Sequence, residues 1–407
     1  MNEFDQARLG SLCDFTQGVQ IADKDTLKQP QDGYVRYIYI RDLFTDKFPV
    51  YVKDVYPNKL LLSGDIVMVN TGNTSGSVYQ AKEGVLCNNA FKIAVKSSKL
   101  NKLDKGFLWV YLNSDARERM LKRLFNPAGQ PHVGHKNVAR LYIPLPPLPE
   151  QRKIAKILGT WDKAISTTER LIDNSKQQKK ALMQQLLTGK KRLLDDSGKP
   201  FEGEWEEVNL GDVVSTGRGF AFKSTQYSES GYKIVRVTNI DSSGNIDLSD
   251  CVYIPDETAC EYKKYELLEN DVLLVMVGAT AGKLGFVTKK TLPALLNQNM
   301  WSLRTKDRVQ LCQLFLKHVI YGVVAKYLLS QQGSARGFFT QKTFELVKFS
   351  IPSIQEQQKV ASILTNADQE IKLLEKQLSD LKQEKKALMQ QLLTGKRRVK
   401  VNDMEIV

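Results

Sequence analysis

Residues 179–190 (KKALMQQLLTGK) recur unchanged at 385–396, 206 positions downstream. The match runs without a gap over residues 150–190 and 356–396, where 23 of 41 positions are identical. Upstream at the same offset, LLSGDIVMVNTGNTSGS (61–77) lies over LLENDVLLVMVGATAGK (267–283), pairing Asp65 with Asp271, Gly72 with Gly278, Thr74 with Thr280 and Gly76 with Gly282. The halves open alike, Leu9-Gly10 against Leu210-Gly211. Solenoid periods are roughly 20–50 residues, so this chain is a tandem duplication of one larger module. The plan is a variable globular domain (1–149), a long helix (150–190), a second domain (191–355), a second helix (356–396) and a basic tail (397–407).

The helices are the most sharply written part. Residues 356–393 hold no Pro and no Gly and are rich in strong helix formers. Leu364, Ala367, Ile371, Leu374, Leu378, Leu381, Leu388 and Leu392 alternate in threes and fours, a heptad seam interrupted by Lys385. The first copy carries Leu158, Trp161, Ile165, Ile172, Leu182 and Leu186 in the same register, with Thr168, Ser175 and Lys179 as polar breaks. Each helix spans roughly 55–60 Å at 1.5 Å per residue. Gly189 and Gly395, in the shared LTGK, suit a left-handed C-cap. Each helix needs one apolar partner, and the cheapest is the other copy. An antiparallel pair puts a domain at each end of a rod; a parallel pair crowds the domains together. The identical 12-residue segments fit either a duplication that has not drifted or two copies of one surface shown to the same partner. On the second reading the docking residues are Lys179, Lys180, Met183, Gln184, Lys385, Lys386, Met389 and Gln390.

The net charge of +14 favours a polyanionic partner. Residues 1–149 carry 20 basic and 14 acidic side chains (+6) and residues 150–190 carry 9 and 4 (+5), which leaves +3 for the rest. Five cysteines form no CxxC pair, as expected of reduced thiols in a cytosolic protein. The N-terminus lacks the pattern of a signal peptide, and no apolar run is long enough to span a bilayer, so no membrane role is expected and the cytoplasm is the expected compartment.

Within the domains, strands are predicted at 35–40, 65–69, 91–95, 233–237, 271–277 and 300–303, and helices at 106–125 and 309–329. Polar, glycine-bearing loops follow the central strands at 70–77 and 278–283, and a second pair lies at 126–136 and 331–342. Such loops can approach phosphates and base edges closely, and would look the same as simple turns.

Catalytic patterns fail on inspection. GATAGKL (278–284) has three residues between its glycines and ends in Leu where a P-loop needs Ser or Thr. Asn126-Pro127-Ala128 lacks the second proline of an amino-methyltransferase pocket, and no GxGxxG precedes it. Pro255-Asp256 with Glu261-x-Lys263 is too compressed for a nuclease centre. His132 and His135 have no Cys or carboxylate cluster around them, so no metal is expected, and His318 suits a helix core.

The order variable domain, IPLPPLPEQRKIAKIL, long helix, LLTGK, variable domain, IPSIQEQQKVASIL, long helix, LLTGK resembles the specificity (S) subunit of type I restriction–modification systems over nearly the whole chain. Gln355 in the second copy replaces Pro149 of the first. The resemblance implies an α+β architecture: two globular α/β target-recognition domains, separated by two long antiparallel coiled-coil helices, with a pseudo-two-fold internal repeat. It also implies a non-catalytic reader of double-stranded DNA that recognises an asymmetric, bipartite site, the half-sites lying more than one turn (about 34–36 Å) apart. The partners implied are two methyltransferase (modification) subunits, which bind S-adenosylmethionine and methylate adenine N6, and motor-nuclease (restriction) subunits; no cofactor is expected in this chain. The DNA-contact candidates are Arg36, Arg41, Asn70, Asn73, Thr74, Ser75, Lys82, Gln130 and His132 in the first domain, and Arg218, Lys223, Arg236, Asn239, Thr280, Lys283, Gln332 and Arg336 in the second. Each is equally compatible with a solvated surface role. The rival readings are a coiled-coil adaptor whose domains bind protein or RNA, separated by sequence-selective duplex binding, and an enzyme acting alone, against which the broken motifs stand.

Overall fold

The structure, a computed structural model, describes residues 4–123, 132–331 and 339–401. Two long helices, Leu148–Leu186 and Ile354–Leu393, run through it. Each is started by a buried glutamine. Gln151 donates to the carbonyls of Lys102 and Pro146 (2.8 Å each) and accepts from the Asp104 amide at 2.9 Å. Gln357 donates to Gln310 and Pro352 (2.9 Å each) and accepts from Cys312 at 2.9 Å. Both helices stop as LTGK predicts. Gly189 (φ 68°) and Gly395 (φ 73°) are left-handed, and the amides of Lys191 and Arg397 reach back to Gln185 and Gln391 at 3.1 and 3.2 Å.

The chain divides into two compact units, Met1–Arg170 with Lys376–Val407, and Leu171–Glu375, so each unit holds one globular domain and parts of both helices. In the first unit a four-stranded antiparallel sheet runs Cys13–Gln17, Ala90–Val95, Ile66–Val69, Val78–Gln80. A second sheet runs Tyr51–Lys53, Tyr34–Ile38, Gly84–Leu86, Leu60–Leu61, its central pair parallel. Helix Lys105–Leu112 covers the first sheet, and Ile154, Leu158, Met389, Leu392 and Leu393 of the long helices are buried in the same core. At roughly 1.5–3 kcal/mol per buried aliphatic side chain, these five contacts fasten the helix pair to the domain.

The second unit repeats the plan. Its sheets run Val214–Arg218, Met300–Thr305, Val272–Val275, Leu284–Phe286 and Val252–Ile254, Tyr232–Val235, Ala294–Leu296. Leu186, Val360, Ala361 and Leu364 supply the long helices' share of its core. Both units tie the start of the domain to the approach of a long helix: Gln6–Arg8 pairs with Tyr142–Pro144, and Glu206–Asn209 with Lys348–Ile351. These short strands escape pattern reading, because a long-range partner makes them, not propensity.

Within each unit the long helices are antiparallel. In the first, Asp162 pairs with Lys385 (2.5 Å) and Glu169 with Lys382 (2.8 Å); in the second, Lys176 pairs with Glu375 (2.7 Å) and Lys179 with Asp368 (2.5 Å). All four partners repeat at the 206-residue offset, so the ion pairs share the symmetry of the duplication. Half-exposed pairs contribute roughly 0–1 kcal/mol each, leaving the apolar seam as the main adhesive. The α+β class, the repeat and the antiparallel helix pair are as expected. The helix expected over 106–125 is instead two, Lys105–Leu112 and Asp115–Lys122, because the Ser114 hydroxyl accepts from the Arg117 amide (3.2 Å) and starts a new helix. Its counterpart in the second unit is one helix, Gln313–Ser330.

Candidate nucleic-acid interface

In both domains the loop after the central strand has the same backbone. At 70–77 the amides of Ser75, Ser77 and Gly76 bond the carbonyls of Gly72, Thr74 and Val69 at 2.8–2.9 Å. At 276–283 those of Ala281, Lys283 and Gly282 bond Gly278, Thr280 and Val275 at 2.9–3.1 Å. Gly72, Gly76, Gly278 and Gly282 all have φ between 86° and 93°, which is why these positions match across the repeat. Below each loop sits the matched aspartate. Asp65 accepts from the Leu62 amide (3.0 Å) and pairs with Lys92 (2.6 Å); Asp271 accepts from Leu268 (2.8 Å) and takes a two-pronged bond from Arg304 (2.6 Å each).

A second corner shared by the two domains lies beside the loop. Gly18 crosses the turn Cys87–Ala90 so closely that a Cβ would stand 1.9 Å from the Cys87 carbonyl; Gly219 crosses Asn297 at 1.8 Å. The amides of Asn70 and Met276 bond Asn89 and Asn299 at 3.0 and 2.9 Å, locking loop to turn. The carbonyls of Asn70 and Met276 then accept from Val133 and Phe339 (2.8 and 3.1 Å). Each domain thus presents one rigid ledge made of a strand end, a loop and a turn.

The candidate side chains fall into three groups. Exposed and without a side-chain tie are Asn73, Thr74, Lys223 and Thr280, together with Arg41, which stacks on the Tyr39 ring at 4.7 Å. On the ledge but engaged within it are Asn70, buried and donating to Asn88 O (3.2 Å), Ser75, donating to Asn70 O (2.9 Å), and His132, whose Nδ1 lies 3.2 Å from the Thr71 hydroxyl. Arg218 donates twice to the Gln341 side-chain oxygen Oε1, at 3.0 and 3.2 Å, and keeps an exposed guanidinium.

The third group is drawn into the scaffold. Arg36 and Lys82 share Asp46 (2.5 and 2.9 Å), and Lys82 first, then Arg36, holds that carboxyl below its ordinary pKa. Arg236 pairs with Asp250 (3.2 Å), Asn239 is buried beneath the Arg236 amide, and Lys283 donates to the Ile240 carbonyl. These side chains hold loops in place, a use that a linear reading of basic and polar residues cannot foresee. Gln130, Gln332 and Arg336 lie outside the described residues.

The ledge also carries Gln17, Gln20, Asn88 and Asn89, which are not among the sequence candidates. Their signal was present: the apolar strand runs ending VLCNNA and LLNQNM carry an amide turn at the same place in each copy. On the helices, Lys180, Gln184 and Gln390 are exposed, whereas Lys179 and Lys385 are spent on Asp368 and Asp162, Lys386 pairs with Asp115 (2.9 Å), Met389 is buried and Met183 packs on the second core. Among the described residues no helix is long and apolar enough to cross a membrane.

A family model described as the type I restriction modification DNA specificity domain matches residues 1–175 and again 202–383. The chain is 28% identical over 411 residues to the type I restriction enzyme MjaVIII specificity subunit of Methanocaldococcus jannaschii, covering 98% of this chain and 94% of that protein. It is similar in fold to the solved S subunit of a type I restriction-modification system from M. genitalium, with a TM-score of 0.66 and 16% identity over 97% of both chains. A chain from a structural account of complex assembly and conformational transition in a type I R-M system gives a TM-score of 0.54 at 18% identity, over 98% of this chain and 99% of that one.

Proposed function

The chain belongs to the type I restriction–modification DNA specificity family, and from that premise we propose that its two ledges read the two halves of an asymmetric duplex site. The chain is the recognition component of a type I restriction–modification complex and is itself non-catalytic. The observation that carries the division of labour is one backbone bearing two sets of side chains. Asn70-Thr71 in the first domain stands where Met276-Val277 stands in the second, and Gln17 where Arg218 stands. Equal frames put both domains on DNA in equivalent poses, and unequal side chains then select different bases.

Two adenine-N6 methyltransferase subunits dock on the antiparallel helices, one for each copy of KKALMQQLLTGK, with Lys180, Gln184 and Gln390 on the exposed face. S-adenosylmethionine belongs to those subunits, motor-nuclease subunits join the same assembly, and the complex works in the cytoplasm. The test is co-expression with the adenine methyltransferase encoded beside this chain, followed by genome-wide mapping of N6-methyladenine. One asymmetric two-part motif is the expected result, and exchanging one globular domain should change one half of it. A stable complex that adds no methylation would overturn the reading.

A further inference from the structure

The first ledge carries a side-chain arrangement that the second lacks. Gln17 donates its amide to the carbonyls of Asn88 (2.5 Å) and Ala90 (3.3 Å), and Asn70 donates to Asn88 O as well (3.2 Å). Lys59 braces the same strand end from below, at 2.8 Å from the Gln17 carbonyl. These bonds immobilise the turn. The Asn88 side-chain amide donates to Gln20 Oε1 at 3.2 Å, joining two carboxamides.

That bond uses the Asn88 nitrogen and the Gln20 oxygen. Among the described residues it leaves Gln20 Nε2, a donor, and Asn88 Oδ1, an acceptor, without a protein partner. Gln20 is exposed and Asn88 half-buried. Adenine offers the complementary pair in the major groove: an acceptor at N7 and a donor at N6. Guanine offers two acceptors there, N7 and O6, so the Asn88 oxygen would face an oxygen. At the equivalent places the second domain has Ala221 and Gln298, which cannot form such a pair, while its Gln17 counterpart is Arg218, a side chain suited to guanine.

We infer that Gln20 and Asn88 are specificity-determining residues that select an adenine in the half-site of the first domain. This rests on the duplex-reading function proposed above. Gln17 and Asn70 fix the Asn88 backbone and the Gln20–Asn88 bond orders the two carboxamides, so less freedom is lost on binding, which suits them to discrimination.

The experiment selects bound sequences from a fully randomised duplex library with the full chain in complex with its methyltransferase, comparing parent, Gln20→Ala, Asn88→Ala and Gln20→Glu. Gln20 is exposed and its side chain bonds only Asn88 among the described residues, so its variants keep the fold; the unchanged second half-site reports that the complex is intact. The expected result is that one A·T position in the first half-site loses preference by roughly five- to a hundredfold in each variant. A parent complex with no sequence preference would sink the proposed function itself. A selective parent whose variants keep the same preference at every position, or bind all sequences equally less well, would overturn the inference while leaving that function standing.

Discussion

Arg192→Met removes both guanidinium bonds (2.8 Å each) from the Glu356 carboxylate, whose side chain is 1% exposed. Those bonds are the carboxylate's partners among the described residues, so the variant leaves a charge beneath the surface with nothing to balance it. Removing one member of a fully buried pair costs about 3–5 kcal/mol. Arg192 is itself 26% exposed, and water entering its place recovers part of the loss, so about 3 kcal/mol is expected. For a unit the size of Leu171–Glu375, that lowers the melting temperature by roughly 6–12 °C, at about 2–4 °C per kcal/mol. The repeat supplies an internal control. Arg398 pairs with Glu150 in the same way (2.6–3.0 Å), but it is 45% exposed, and the Val399 amide also donates to the carboxylate at 3.2 Å. With that amide retained and the arginine more solvated, Arg398→Met should cost at least about 1 kcal/mol less. Calorimetry, with amide exchange to assign each transition to its unit, reads both effects, and Glu356→Gln added to Arg192→Met should recover part of the loss. The reasoning fails if Arg192→Met melts within about 2 °C of the parent, or if Arg398→Met melts lower.

Three further outcomes are expected. Gly219→Ala brings a Cβ to 1.8 Å from the Asn297 carbonyl and must push strand and turn apart; urea unfolding should show a loss of about 1–3 kcal/mol or more, with degraded reading of the second half-site alone. His318 is buried beside Thr365, and burial first, then Lys317, lowers its pKa to about 4. Since the unfolded imidazole protonates near 6.5, the folded state loses stability as pH falls from about 6.5 to about 4, in total roughly 3 kcal/mol, and His318→Gln should flatten that part of the stability–pH curve; equal slopes would refute the assignment. Arg117 is buried and donates to the carbonyls of Leu112 (2.5 Å) and Gly76 (2.8 Å), so Arg117→Met leaves two buried carbonyls bare, one of them in the 70–77 loop. About 2–4 kcal/mol should be lost, and base selection should blur in the first half-site only; an equal loss in both would show that the loop is not the route.

The 206-residue duplication, the heptad seam, the LTGK caps and the family were all legible in the chain, because each is a local or periodic pattern whose physics acts over a few turns. The near-identity of the two helix ends gains a further cause from the structure. Arg192 follows the first LTGK and grips Glu356 at the start of the second helix, and Arg398 repeats this on Glu150. Any drift in one copy must therefore satisfy a partner in the other. What the EQ pair does was equally hidden. Its glutamate is a counter-charge and its glutamine a helix anchor, and both roles exist only once distant segments meet.

The candidate interface divides along the same line. Loop positions and their glycines could be read from sequence, since a left-handed residue in a tight turn leaves a mark that does not depend on context. Which polar side chains remain available could not. Arg36, Arg236, Asn239 and Lys283 look as suited to DNA as Arg218 does, yet partners up to 43 residues away draw them into the scaffold. Gln20 and Asn88, separated by 68 residues, become a pair only when Gly18 lets the strand end cross the turn. Sequence alone determined the module, its duplication and its family; the tertiary structure decided which hydrogen-bonding groups the fold consumes and which it leaves to a ligand, because that depends on what lies within about 3 Å in space and not on neighbours along the chain.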